Sequence, residues 1–272
     1  MEVTELVDFP EEVRKVIDTY FSLLETTVPN LLEGLFLFGS ISIGAFKYGF
    51  SDLDFIAVLK RKVTQPELRA LKDLHTEMQQ RFPKVILDGM YVLKDDAEDI
   101  SGTESLRFNE GKFYGYRTFD TNSIDAYQLK EYGIAIKGNQ IECLNYVVEW
   151  EVLINNMRDN LNSYWVNWLH DCQRFLSMKY IGLFFSLRLV EWGVLGVTRL
   201  FYTFKERDII SKAGAGEYAL KTVPERWHKV LNESMRLRNG HKKSLYNSVF
   251  ERRKDAIDYL AFMIDECNRL FK

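Results

Sequence analysis

Leu35-Phe36-Leu37-Phe38-Gly39-Ser40 is followed, after an eleven-residue connection, by Asp52-Leu53-Asp54-Phe55-Ile56-Ala57-Val58-Leu59. Both apolar runs have the length and composition of buried strands. The first closes on a glycine-serine turn, and the second opens on two carboxylates. Strand side chains alternate faces, so Asp52 and Asp54 project to one side and Leu53 and Phe55 to the other. Aspartate is depleted in strands, and two on one face repel each other unless a cation lies between them. Hard carboxylate oxygens suit Mg2+. Gly39 lets backbone approach a ligand closely, and Ser40 adds a hydroxyl at the same place. A turn of backbone N–H groups beside a two-carboxylate metal site suits a nucleoside triphosphate, whose phosphates the turn and the metal would share.

Gly39-Ser40 followed by Asp52-x-Asp54 at the head of an apolar strand resembles the signature of the nucleotidyltransferase superfamily, the polymerase-β-like fold. The resemblance implies an α+β N-terminal domain, a small mixed sheet with helices, in which Asp52 and Asp54 hold Mg2+ and Gly39 and Ser40 hold the nucleotide. The competing reading is an ordinary turn with two aspartates flanking a strand.

A first helix is expected from near Pro10, with Glu11 and Glu12 at its positive end and Val13, Val16, Ile17, Tyr20 and Leu24 on one face. Thr64 and Glu67 have capping-box spacing. They open a second helix whose stripe is Leu68, Leu71, Leu74, His75 and Met78, with His75 packed or at the rim rather than a ligand. Val85 to Leu93 reads as a third strand with Ile86, Asp88, Met90 and Val92 on one face. A carboxylate on a buried strand needs a partner. In the superfamily a third acid sits on a strand adjoining the Asp-x-Asp strand, and Asp88 takes that place as general base or as a completing metal ligand. The alternative is an acid that reaches solvent beside Gly89. Residues Asp95 to Asp99 read as an acidic surface loop. Ser101 to Asn122 is rich in Gly, Tyr and Phe without a clear period, and is either irregular strands or a loop over the site.

From about Leu144 helical patterns follow one another: Tyr146 to Leu161, Trp165 to Phe185, Leu187 to Phe204, Ala213 to Leu220, Pro224 to Arg238 and Leu245 to Phe271. The expected organisation is therefore residues 1–143 as the nucleotidyltransferase domain and 144–272 as an all-α helical bundle, with the active site in the cleft between them. The chain of 272 residues is comfortable for two domains. In the second half, Arg199, Ser211-Lys212, Ala219-Leu220 and Val223-Pro224 resemble the C-terminal helical domain of the streptomycin/spectinomycin adenylyltransferase type of aminoglycoside nucleotidyltransferase. That resemblance implies that Arg199 and Lys212 contact the nucleotide and that ATP is its source. It also implies a small-molecule acceptor of the aminoglycoside kind.

The sequence departs from that family at several points. Leu189 stands where the drug-binding enzymes have an aspartate ten residues before the arginine, and Glu191 lies eight residues before it. The tryptophan of the stretch after the third acid is absent, with Phe113, Tyr114 or Tyr116 as substitutes. Asp88 stands where the family usually has Glu. Glu149, Glu151 and Glu191 are candidates by residue type for contacting a cationic acceptor. The identity of the acceptor stays open.

Thirty-six Lys and Arg against 39 Asp and Glu, a net charge of -3, argue against nucleic acid as the main partner. This disfavours an RNA-tailing transferase, whose only support is the basic stretch from Arg226 to Lys254. A second rival is a nucleotide-binding or nucleotidyltransferase module acting on a protein partner, as in toxin-antitoxin systems. Cys143, Cys172 and Cys267 have neither zinc spacing nor a disulfide pattern, and the latter two read as bundle core. With no signal-peptide pattern at the start and no bilayer-length apolar run, a soluble, cytoplasmic protein is expected.

Overall fold

The structure is a computed structural model that describes residues 9–93, 104–138 and 144–272. The acidic stretch at 95–99, the start of the Gly/Tyr/Phe-rich segment at 101–103 and Cys143 at the expected domain boundary lie outside the described residues. The chain divides into two compact units, Met1–Trp150 and Glu151–Lys272.

The first unit is α+β. Helix α1 (Glu11–Thr27) is entered through Pro10 and buries Val13, Val16, Ile17, Tyr20, Phe21 and Leu24. Strands β1 (Leu32–Phe38) and β2 (Leu53–Leu59) follow, then α2 (Gln65–Arg81). The capping box forms as the sequence predicts, with Thr64 and Glu67 each satisfying the other's backbone N–H. Next come β3 (Leu87–Leu93), β4 (Glu104–Asn109), β5 (Lys112–Thr118), α3 (Ile124–Tyr132) and β6 (Ile134–Lys137). The sheet runs β5-β4-β3-β2-β1-β6. Among the described residues β2 with β3 is the parallel pair, and the other neighbours are antiparallel. A parallel pair needs a crossover, and α2 supplies it.

Apolar residues cover both faces of the central strands, which is why β1 and β2 read as continuous apolar runs. Leu53, Phe55, Ala57 and Leu59 pack toward α1 and α2. Ile56 and Val58 pack with Met90, Val92 and the α3 residues Ala126 and Leu129 on the other face. His75 is buried, as its position on the α2 stripe suggests. Its Nε2 lies 2.8 Å from the Tyr91 hydroxyl, and the Tyr20 hydroxyl donates to that same hydroxyl at 2.8 Å. The ring stacks on Phe108 with centroids 4.1 Å apart. Burial lowers its pKa to about 3, so the imidazole is neutral.

The segment without a clear period is a β-hairpin. Glu110 (φ 49°) and Gly111 (φ 72°) form a two-residue turn in which both positions are left-handed, the geometry that matches strand twist. The edge strand β5 has no fully buried residue, so its inward and outward positions carry no apolar-polar contrast in the sequence.

The second unit is all-α. Its helices are α4 (Trp150–Asn160), whose first residue is the last of the first unit, α5 (Val166–Gln173), α6 (Met178–Phe185), α7 (Leu187–Glu206), α8 (Lys212–Thr222), α9 (His228–Arg238) and α10 (Val249–Arg269). Helix α7 packs on α8, α9 and α10. Four expected helices differ from the structure. The one expected from Pro224 opens as a 3-10 turn, Glu225–Trp227, before α9, and the one expected from Leu245 starts at Val249. The one expected from Tyr146 starts at Trp150 and runs through a π turn, Leu161–Trp165, into α5. The one expected from Trp165 to Phe185 breaks after Gln173. Leu176 turns left-handed (φ 61°), and the Ser177 hydroxyl accepts from the Tyr180 N–H to start α6. Phe175 and Met178, on either side of this turn, are 73% and 87% exposed. Cys172 and Cys267 are core residues, and burial pushes the Cys172 thiol up to about 12. Among the described residues no single helix is long and apolar enough to cross a membrane; α6 and α7 combine that length and composition only as a pair, bent by 106° between them.

Candidate active site

Strand pairing assembles the site in the first unit. Phe38, the last residue of β1, pairs with Asp54 of β2, and Asp54 pairs with Asp88 of the parallel neighbour β3. The chain turns immediately after Phe38, at Gly39, with φ +73°. A Cβ built there would lie 1.9 Å from Asp54 Oδ2. The glycine-serine turn therefore rests directly on the Asp54 carboxylate, and only glycine fits. The Ser40 hydroxyl oxygen is buried and meets no hydrogen-bond partner among the described residues. A buried hydroxyl without a partner is costly, and a ligand oxygen here would satisfy it. Gly39→Ala is expected to displace the Asp54 side chain and to lower stability by about 1–2 kcal/mol, the cost of a left-handed non-glycine residue. A fall in Tm checks the second effect, and an unchanged Tm would contradict the close approach.

Asp54 and Asp88 lie on the same face of the sheet, two residues before Ile56 and Met90 of that face's core. Asp52 stands just before β2. Burial is the largest cause of a raised Asp88 pKa, about 6, with the Asp125 and Asp52 carboxylates adding to it and Arg107 opposing. Asp88 is thus the strand acid with a partner that its burial requires: Asn109 Nδ2 donates to Asp88 Oδ2 at 3.1 Å. Arg107 Nη1 lies 4.0 Å from Asp125 Oδ2, in the first turn of α3.

A cavity of about 440 Å³ and another of about 420 Å³ open on this unit. The second holds Asp88 together with Arg107, Asn109, Tyr114, Arg117 and Thr118. Of the three aromatic candidates for the missing tryptophan, Tyr114 alone lines it. Phe113 packs inward on Phe108, and Tyr116 lines the other cavity with Leu59 and Leu93, at the opposite ends of β2 and β3. Sequence reasoning missed Arg107, Asn109 and Asp125. Asn109 comes to Asp88 because β4 pairs antiparallel with β3, Gly89 opposite Phe108, and the Glu110-Gly111 turn that follows Asn109 is the local signal that ends β4 there.

Among the described residues no group of three or more His, Cys, Asp or Glu side chains is placed to hold a metal ion. The donor set nevertheless fits Mg2+. That ion is ordinarily held by one or two carboxylates plus substrate phosphates, and Asp52 and Asp54 are two hard-oxygen donors beside the turn.

In the second unit, Arg199 lies on α7 and Lys212 is the first residue of α8. Ser211 caps α8 by accepting from the Gly214 N–H at 3.0 Å. Lys212 Nζ stands 3.9 Å from Glu191 Oε1, and Arg238 Nη1 stands 3.5 Å from the same oxygen. Glu151 is exposed and paired with Arg207. Glu149 belongs to the first unit, where its N–H donates to Asn122.

Residues 190–263 match the family described as aminoglycoside adenylyltransferase, C-terminal domain. Among solved structures, the chain is similar to spectinomycin adenyltransferase AAD(9) from Enterococcus faecialis, crystallised with ATP and spectinomycin. Identity is 16%, the match covers 91% of this chain and 99% of that one, and the TM-score is 0.63. No curated protein matches the chain. The resemblance read from the sequence thus stands on two findings. Residues 190–263 match the model of the aminoglycoside adenylyltransferase C-terminal domain, and the fold over nearly the whole length is similar to that of the solved spectinomycin adenyltransferase.

Proposed function

We propose that this protein transfers AMP from ATP to a hydroxyl of a small polar acceptor, an aminoglycoside-type antibiotic or a compound like it, with release of pyrophosphate. One observation carries the reading: Asp88 lies in register with Asp54, on whose carboxylate the Gly39-Ser40 turn rests. Phosphate turn, metal-type carboxylate and base-type carboxylate stand side by side on β1, β2 and β3 in that order.

In the reaction the acceptor oxygen forms a bond to the α-phosphorus of ATP while the bond from that phosphorus to pyrophosphate breaks. Asp88 takes the proton that the acceptor hydroxyl loses, and its raised pKa makes it a better base than an exposed aspartate. Asn109 holds one of its oxygens and so orients the other. Gly39 and Ser40 hold the phosphate tail. Asp52 and Asp54 would hold Mg2+, which when bound supplies Lewis-acid stabilisation of the phosphate charge. Arg199 and Lys212 add cationic charge toward the triphosphate, which carries about four negative charges. A cytoplasmic setting goes with a reaction that consumes ATP.

The test is a screen of ATP turnover, by pyrophosphate release, against aminoglycosides and aminocyclitols, followed by Asp88→Asn with the acceptor found. The Asn protein is expected to bind Mg-ATP normally and to transfer AMP at least about a hundredfold more slowly, the low end for losing a positioned base. A normal rate would remove Asp88 from the mechanism. Turnover with no small acceptor, together with AMP attached to a co-purified protein, would favour the protein-modifying alternative.

A further inference from the structure

We propose that Glu191 is a positioning residue that sets two cations, Lys212 and Arg238, for the phosphates of the nucleotide, and that Arg238 is a further nucleotide-binding residue. The inference rests on the reading that Lys212 reaches ATP. Three helices meet at one oxygen. Glu191 projects from α7 with 8% of its side chain exposed, Lys212 opens α8 and Arg238 closes α9. Glu191 Oε1 is 3.5 Å from Arg238 Nη1 and 3.9 Å from Lys212 Nζ. Both cations flank the same oxygen, so their charged heads lie around one carboxylate. An anion that meets Lys212 is therefore within reach of Arg238, whose planar fork suits two phosphate oxygens where Lys supplies a point charge.

Two cations from different helices would repel each other and splay apart. A shared carboxylate offsets that repulsion and orders both side chains before the ligand arrives, which lowers the entropy lost on binding. A Glu that sets a phosphate-binding Lys has a precedent in the Lys–Glu pair of protein kinases. The two separations are longer than the 2.7 Å Arg236–Glu233 pair on α9, so Glu191 orients its cations without closing the tightest hydrogen-bond geometry on either. The same geometry bears on Glu191 as an acceptor contact: two cations of the chain itself already offset its charge.

The experiment is calorimetric titration of the whole protein with a non-hydrolysable ATP analogue and Mg2+, for the wild type, E191Q, E191D, R238A and the E191Q/R238A double variant. Alongside it go Tm and, once an acceptor is found, KM for each substrate. E191Q and R238A are each expected to weaken analogue binding roughly tenfold, in the range for losing a hydrogen bond to a charged group. The double variant should lose less than the product of the two, since both act through one cluster. E191D, which keeps the charge, should recover part of the affinity. Acceptor KM should stay constant. Analogue binding that is unchanged or tighter in folded E191Q overturns the proposal, because Glu191 would then only repel phosphate. A rise in acceptor KM without loss of nucleotide affinity overturns it in favour of an acceptor contact. A fall in Tm with affinity intact reduces Glu191 to a structural ion pair. A wild type that does not bind the analogue removes the transferase reading and this inference with it, whereas a binding wild type with indifferent variants removes this inference alone.

Discussion

Asp54→Asn is expected to lower AMP transfer by at least about a thousandfold while leaving the fold in place. A metal-type carboxylate is asked to support several kcal/mol of charge stabilisation in the transition state. At about 1.4 kcal/mol per tenfold, that is three orders of magnitude or more. The fold should survive because Asp54 does not fill the core: on its face the packed side chains begin at Ile56, and Leu53 and Phe55 hold the other face. Steady-state turnover with Mg-ATP and the screened acceptor reads the first effect, and Tm reads the second. Gly39→Ala is the companion variant. It keeps both carboxylates and moves one, and a displacement of about 1 Å in a reacting group costs on the order of a hundredfold. Near wild-type transfer by Asp54→Asn would mean that the metal site lies elsewhere. Transfer lost together with a collapsed Tm would make Asp54 structural.

The largest effect on stability is expected at Glu233, a residue with no part in the proposed chemistry. Its side chain is fully buried on α9. Arg236 Nε and Nη2 donate to its two oxygens at 2.8 and 2.7 Å, the Ser244 hydroxyl donates at 2.8 Å, and the Leu245 N–H donates at 2.9 Å. One carboxylate thereby ties the segment after α9 back onto the helix. Burial acts to raise its pKa, and the four donors outweigh it and hold the value at about 2. Glu233→Ala leaves Arg236 buried without its counter-ion, and breaking such a pair costs about 3–5 kcal/mol. Glu233→Gln keeps the shape and loses the charge, so it should cost less. The depressed pKa also fixes the acid response. A carboxylate whose folded value lies below its ordinary 4.5 contributes its full stability above that value and loses it as pH falls toward about 2. Wild-type Tm should therefore drop between about pH 4.5 and 2 more steeply than that of Glu233→Gln. Tryptophan fluorescence follows this transition, because every tryptophan except Trp150 lies in the helical unit. Parallel acid curves for the two proteins would show that the ion pair does not couple to folding.

The two predictions differ in how visible their residues were. Asp54 was legible because its signal is local. A buried strand, a turn and a second strand with an acid at its head occupy a short piece of chain, and the two-residue period assigns the face of each side chain. The α1 stripe and the Thr64–Glu67 cap were legible for the same reason, since each rests on neighbours three or four positions apart. Asp88 followed from a single acid in an apolar run. Its exact pairing with Asp54 did not, because register across a parallel pair is set by the whole strand against its neighbour.

What only the tertiary structure decided involves partners far apart in sequence. Asn109 meets Asp88 because β4 runs back antiparallel along β3, and Asp125 reaches the same neighbourhood from α3. The exposed face of β5 left no periodicity to read. The break between α5 and α6 is local, yet it hides in an unbroken apolar run, where a serine cap and one left-handed leucine outweigh a pattern that favours helix. Glu191 and Glu233 look alike in sequence, each an acid on a helix. Packing gave one a pair of cations from two other helices and the other a cage of four donors. Helical periodicity states which face is buried, but the charges that end up on the facing helices depend on how the helices are stacked, and that is fixed by side-chain packing across the whole unit.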